Sequence, residues 1–203
     1  MRSMDSVVDP NPAVTIFGKE ISMPVLVAPV GGVILNSKVP GDPATVEMDY
    51  NESVSKGAFD AGTLCFTGDG GMEYMFESGI VASKKREETV IPTIKPRSND
   101  QIIEKIRVAE KAHAFAVASD IDASTLINMH IFGQPVGPKS ASDIAELVKS
   151  TSLPFIVKGI MSPEEAVACA DAGAKASSSA TTAAVSSTVW SVRPTSCRKS
   201  PRP

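Results

Sequence analysis

Residues 153–166 read LPFIVKGIMSPEEA. Pro154–Ile160 is a near-continuous apolar run, the pattern of a parallel strand buried on both faces rather than of one with a wet side. Ser162, Pro163 and Glu165 then open a helix: a hydroxyl cap, a proline in the first turn and a carboxylate three residues after the cap. Gly173 ends that helix in the manner of a left-handed cap. Within the strand, Lys158 stands between Val157 and Gly159. An unpaired buried ammonium is expensive, so something anionic is expected to meet it.

The same strand–helix unit repeats outward from this stretch. Strands are expected at Pro24–Val30, Thr63–Thr67, Val90–Ile94, Ala114–Ile121 and Pro154–Ile160, all nearly continuous in apolar residues. Helices are expected near Ala44–Ala61, Gly71–Lys85, Asp100–Ala112, Ala141–Ser150 and Pro163–Ala172, with Asn99 or Asp100 capping the third. Ala13–Ile21 reads as a small hairpin turning at Gly18–Lys19. Five strand–helix repeats give the α/β class with right-handed crossovers, as an open doubly wound sheet or a (β/α)8 TIM barrel. No GxGxxG follows the first strand, which weakens the dinucleotide-binding sheet. Gly31–Gly32, Thr67–Gly68, Lys95, Asp120 with Asp122, and Lys158 all fall at or just past a strand's C-terminal end, where barrel enzymes keep their chemistry.

Charge divides the 203 residues unequally. All 23 Asp and Glu precede Ser177, which leaves residues 1–176 with a net charge of −7; residues 177–203 carry +4 and are rich in Ser, Thr and Ala. An acidic body argues against a nucleic-acid surface, which wants a basic stripe. No apolar run reaches the roughly 20 residues of a membrane span, and no signal peptide opens the chain. Cys65, Cys169 and Cys197 show neither metal spacing nor a paired framework. The expectation is a cytoplasmic protein with no nucleic-acid or membrane partner.

From Ala13 to Ala176 the chain resembles the FMN-dependent α-hydroxy-acid oxidase/dehydrogenase family, especially its compact bacterial members. The motifs that carry the resemblance are FGKEISMPVLVAPVGG (Phe17–Gly32), GTLCFTGDG (Gly62–Gly70), IPTIKP (Ile91–Pro96), AVASDIDA (Ala116–Ala123) and LPFIVKGIMSPEEA (Leu153–Ala166). The resemblance implies a partial TIM barrel, about five of eight βα units, with FMN as cofactor. It implies that Pro29, Val30 and Gly31 lie against the flavin ring, and that Thr67 or Gly68 lines it from the next strand. It puts Thr93 and Lys95 among the polar groups facing flavin or substrate, although family members commonly carry Gln and Tyr there. Asp120 replaces a residue that is often Thr. Asp122 matches the carboxylate that supports the catalytic histidine. Lys158 matches the lysine that stabilises negative charge on the reduced flavin.

The departures lie beyond Ala176. The family's next strand ends in Ser-Asn-His-Gly-Gly-Arg, whose His takes the substrate hydroxyl proton and whose Arg holds the substrate carboxylate. This motif and the later phosphate-gripping glycine loops are missing from the 203 residues. His113 and His130 are the only histidines, and each reads as structural or solvated. With synonymous codons chosen for Ala176–Trp190, reading from the third base gives Ile-Val-Val-Ser-Asn-His-Gly-Gly-Arg-Val-Leu-Asp-Cys-Leu, the missing strand and loop. The expectation is therefore a partial FMN barrel domain over residues 1–176, followed by a frame-shifted, non-homologous, disordered tail over 177–203.

The resemblance implies oxidation of a small (S)-2-hydroxy acid to a 2-oxo acid, with this chain inactive on its own. An alternative is another FMN barrel resembling type II isopentenyl-diphosphate isomerase, although a diphosphate would want more basic loop residues. A second alternative is a non-catalytic half-barrel that forms a homo-oligomer through its open edge.

Overall fold

The computed structural model describes residues 11–37, 39–179 and 190–191. An N-terminal hairpin pairs β1 (Val14–Ile16) with β2 (Lys19–Ile21), antiparallel. Its turn falls at Phe17–Gly18, one residue earlier than expected, because both residues take positive φ (49° and 86°). Such turns match the twist of the strands they join. The chain continues through α1 (Val33–Ser37), α2 (Pro43–Asp60), β3 (Cys65–Thr67), α3 (Glu73–Lys85), β4 (Val90–Ile94) and α4 (Asn99–Lys111). Then come β5 (Val117–Asp120), a 3-10 turn (Ile121–Thr125), α5 (Ile127–Ile131), α6 (Ala141–Lys149) and β6 (Phe155–Lys158). Last are α7 (Pro163–Asp171), β7 (Ala176–Ser178) and β8 (Trp190–Ser191).

Strands β3 to β7 pair side by side in chain order, every pair parallel. A doubly wound sheet would reverse its strand order once; this one never does, so it is a section of barrel wall. The fold is thus α/β, a partial TIM barrel with five parallel strands. Their membership differs from expectation. Pro24–Val30 is not a strand: only Val27 bridges to Cys65, its N–H donating to Leu64 O at 3.1 Å while its carbonyl accepts from Phe66 N at 2.9 Å. Pro24 and Pro29 have no N–H to extend that ladder. The fifth parallel strand is instead β7, which carries the sheet through Ser177 and Ser178. Antiparallel β8 pairs with β7 on its other side. The remainder of the expected irregular tail, 180–189 and 192–203, lies outside the described residues.

Period-two alternation gives the sheet two unlike faces. Phe66, Ile91, Ala118, Ile156 and Ala176 pack together on one, closed from below by Ile16 and Ile21 of the hairpin. Ile94, Val117, Phe155 and Val157 face the other way, onto Ile102 and Ile106 of α4 and Ile144 and Leu147 of α6. Each such helix side chain contributes roughly 1.5–3 kcal/mol by leaving water. Helix starts follow local chemistry. Ser98, not Asn99 or Asp100, caps α4, accepting from Gln101 N. Ser162 and Glu165 form the expected reciprocal capping box on α7. Among the described residues no helix is long and apolar enough to cross a membrane.

Candidate active site at the strand C-terminal ends

Counting by twos from Ile91, Ala118, Ile156 and Ala176 places Thr93, Lys95, Asp120, Lys158 and Ser178 on the first face, toward the strands' C-terminal ends. The register confirms it: Asp120 lies directly opposite Lys158, and Lys158 opposite Ser178. Lys95 Nζ donates to Asp120 Oδ2 at 2.8 Å, and Lys158 Nζ forms an ion pair with Oδ1 at 2.8 Å, off the angle of a hydrogen bond. All three residues are buried, at 8%, 4% and 5% exposure. The anionic partner that the Lys158 sequence context demands is therefore Asp120. Burial alone would raise the Asp120 carboxyl, but the ammonium groups of Lys95 and Lys158 outweigh it and hold it below its ordinary value. Two cations around one carboxylate leave this cluster with one net positive charge, a field suited to an anion or to developing negative charge. Thr93 Oγ1, buried on the same face, has no hydrogen-bond partner.

Two loops meet at the same end, backbone against backbone. A methyl group added at Gly31 would stand 2.7 Å from the Asp69 carbonyl oxygen, and one at Gly68 would overlap the Val30–Gly31 peptide. Only glycine permits this approach. Sequence reasoning missed what fixes it. Buried Asp69 pairs bidentately with buried Arg97, and also accepts from the backbone of Gly70 (2.8 Å) and Lys95 (3.0 Å). Arg97 donates further to Gly70 O at 2.7 Å and to Gln134 Oε1 at 3.1 Å. The signal was present as an Asp and an Arg directly beyond two buried strands, in GDGG and IKPR, but spacing alone does not say that they meet.

The other expected residues divide. Pro29, Val30, Gly31, Gly68, Thr93, Lys95, Asp120 and Lys158 gather at this end. The hydroxyl of Thr67 points away, to the side where Gly79 of α3 leaves room for it. Asp122 lies off the strand, in the 3-10 turn, with its carboxylate where a side chain on Gly159 (φ 89°) would sit. His113 is exposed after α4, before β5 and thus at the opposite end; His130 is exposed on α5. A groove of about 650 Å³ lies on the helix side, walled by Phe76, Lys105 and Glu104 and reaching Arg97 and Gln134 at its edge. No cluster of His, Cys, Asp and Glu among the described residues could hold a metal ion.

Residues 80–178 match the model of the FMN-dependent dehydrogenase family. Over that segment the chain is similar to the FMN-dependent dehydrogenases. The matched segment contains Lys95, Asp120, Asp122 and Lys158, and stops at the last residue of β7. The two N-terminal motifs, around Gly31 and Gly68, lie outside it. Among solved structures, a mandelate oxidase variant crystallised with 2-hydroxy-phenylacetamide superposes with a TM-score of 0.64 at 20% identity, over 86% of this chain and 52% of that one. A refolded lactate oxidase from Pediococcus acidilactici does so with a TM-score of 0.64 at 20% identity, over 86% and 51%. A mandelate oxidase mutant holding a monooxide FMN adduct gives 0.59 at 21%, over 86% and 52%. At such identity the likeness shows a shared fold, and the chain spans about half the length of these structures. No curated protein matches it.

Proposed function

We propose that this chain is the flavin-facing part of an FMN-dependent oxidoreductase acting on small (S)-2-hydroxy acids. The observation that carries the reading is the buried Lys95–Asp120–Lys158 cluster, inside the segment that matches the dehydrogenase family. Bound FMN would supply the acceptor for the hydride that leaves the hydroxy-acid carbon.

The chain's own residues supply contact and charge. The Pro29–Val30–Gly31 backbone would lie against the cofactor, held in place by the close packing of Gly31 and Gly68 on each other's loops, and Thr93 would offer its free hydroxyl. Lys158, steadied by Asp120, would stabilise negative charge that grows during transfer, which lowers the barrier rather than merely tightening binding. Lys95 would hold Asp120 in register and add a second positive charge.

Among the described residues, no histidine base and no carboxylate-binding arginine stand on this face. Asp122 would support such a base, and neither histidine of the chain is placed to serve as one. We read the chain as written as inactive, with the frame shift after Ala176 as the cause. The test is hydroxy-acid-dependent bleaching of bound flavin, with the 203-residue protein compared with one whose frame is restored near Ala176 and continued downstream. Bleaching only in the restored protein is expected. Turnover by the 203-residue chain would contradict the proposal.

A further inference from the structure

Glu47 is a buried carboxylate, at 1% exposure, and no described cation pairs with it. It lies on the inward stripe of α2 with Asn51, Ser55 and Ala58. Its neighbours on that stripe are neutral; Asn51 Nδ2, for instance, donates to Ser78 Oγ at 2.7 Å. Glu47 reaches instead to the loop after the first bridge. Oε1 accepts from Gly32 N at 3.1 Å and Oε2 from Val33 N at 2.8 Å. Two amide donors meet two acceptor oxygens, which suits the ionised carboxylate best; a carboxamide has one such oxygen, and a carboxylic acid turns its second into a donor and a poorer acceptor. A buried anion without a counter-ion is costly, so the position demands a reason. Gly31, next in the chain, is the residue pressed against Asp69.

We propose that Glu47 is a positioning residue for the flavin-facing rim, its carboxylate orienting the Gly32 and Val33 amides and thereby seating Gly31 against Asp69. The inference rests on the flavin reading for its functional meaning, but not for its geometry. Asp69 does the same service from the other side, so the two loops are each tied by a buried carboxylate: Asp69 by way of Arg97 and the Lys95 amide, Glu47 by way of α2. Burial raises the Glu47 carboxyl above its ordinary value, more than the two amides lower it. Among the described residues, the ionisable groups that sense its charge are Tyr50 on its own helix and Tyr74 on α3, both raised chiefly by burial; Gly32 and Val33 present their amides. Glu47 thus gains its proton at a higher pH than an ordinary glutamate does, and the rim loosens as it does so.

The experiment follows the amide resonances of Gly32 and Val33 in the full 203-residue chain between acid and neutral pH, beside those of Glu47→Gln. In the unsubstituted chain both should move together, with a midpoint above the ordinary glutamate value. In Glu47→Gln the transition should vanish, and at neutral pH the two amides should exchange with solvent about tenfold faster, as the loss of one charge-assisted hydrogen bond predicts. A purely space-filling glutamate would give neither effect, because Gln fills the same volume. Amides that do not titrate in the unsubstituted chain overturn the proposal, and that measurement does not depend on the variant folding. Riboflavin titration separates the two layers of the claim. Affinity about tenfold weaker in Glu47→Gln supports the rim's role. Responding amides with riboflavin bound at unchanged affinity would overturn the rim's role and leave Glu47 as an anchor of the loop alone, whereas no riboflavin binding at all would overturn the flavin reading.

Discussion

Asp120 sits between two ammonium groups with almost no exposure, and its folded-state carboxyl lies below the unfolded value. The sign of the linkage follows: its ion pairs stabilise the fold above the unfolded value and are lost as pH falls through the lower, folded one. The chain should therefore show an acid unfolding limb below about pH 4, the region where carboxylates gain protons. Asp120→Asn should flatten that limb in pH-dependent melts. At neutral pH it should also destabilise by roughly 3–5 kcal/mol, the usual consequence of leaving buried charges unpaired. Gly31→Ala makes a second prediction at this scale. The added methyl, 2.7 Å from the Asp69 carbonyl, would push the two loops apart, so riboflavin affinity should fall while the helix signal in circular dichroism is kept. Cys65 makes a third. Burial pushes its thiol up to about 12, so it should resist alkylation in native buffer and react on unfolding.

Elements show how far local rules reach. The capping box on α7 was readable because hydroxyl, proline and glutamate stand at fixed spacing, and it is present as read. Ser162→Ala should cost about 1 kcal/mol in a denaturant melt, since the helix loses one side-chain acceptor for its first turn. Strands β4 and β6 were equally plain, as apolar runs bounded by prolines and glycine. Pro24–Val30 shows the limit of that signal: apolar content implies burial, but the two prolines remove the donors a ladder needs. Strand β7 was missed for the opposite reason. Ala176–Ser177–Ser178 has little strand character, and its place comes from pairing with Ile156–Lys158. At the site, Lys158 announced a buried partner and Asp120 supplied it, whereas Asp69–Arg97 and Glu47–Gly32 join residues 28 and 15 apart through loops that no periodicity reveals.

For the whole molecule, cofactor binding divides into two halves. Contacts to a flavin ring are expected from the Gly31 and Gly68 loops, Thr93, Lys95 and Lys158, all within the described residues. Contacts to a flavin phosphate are expected from none of them, so the ring alone should decide affinity. The most direct measurement is the dissociation constant of the 203-residue chain for FMN and for riboflavin, read from flavin fluorescence, with Lys158→Met measured alongside. The account predicts weak binding of both with affinities equal to within about threefold, less than 1 kcal/mol apart, and a loss of both together in Lys158→Met. FMN bound a hundredfold more tightly than riboflavin, or flavin affinity untouched by Lys158→Met, would contradict it.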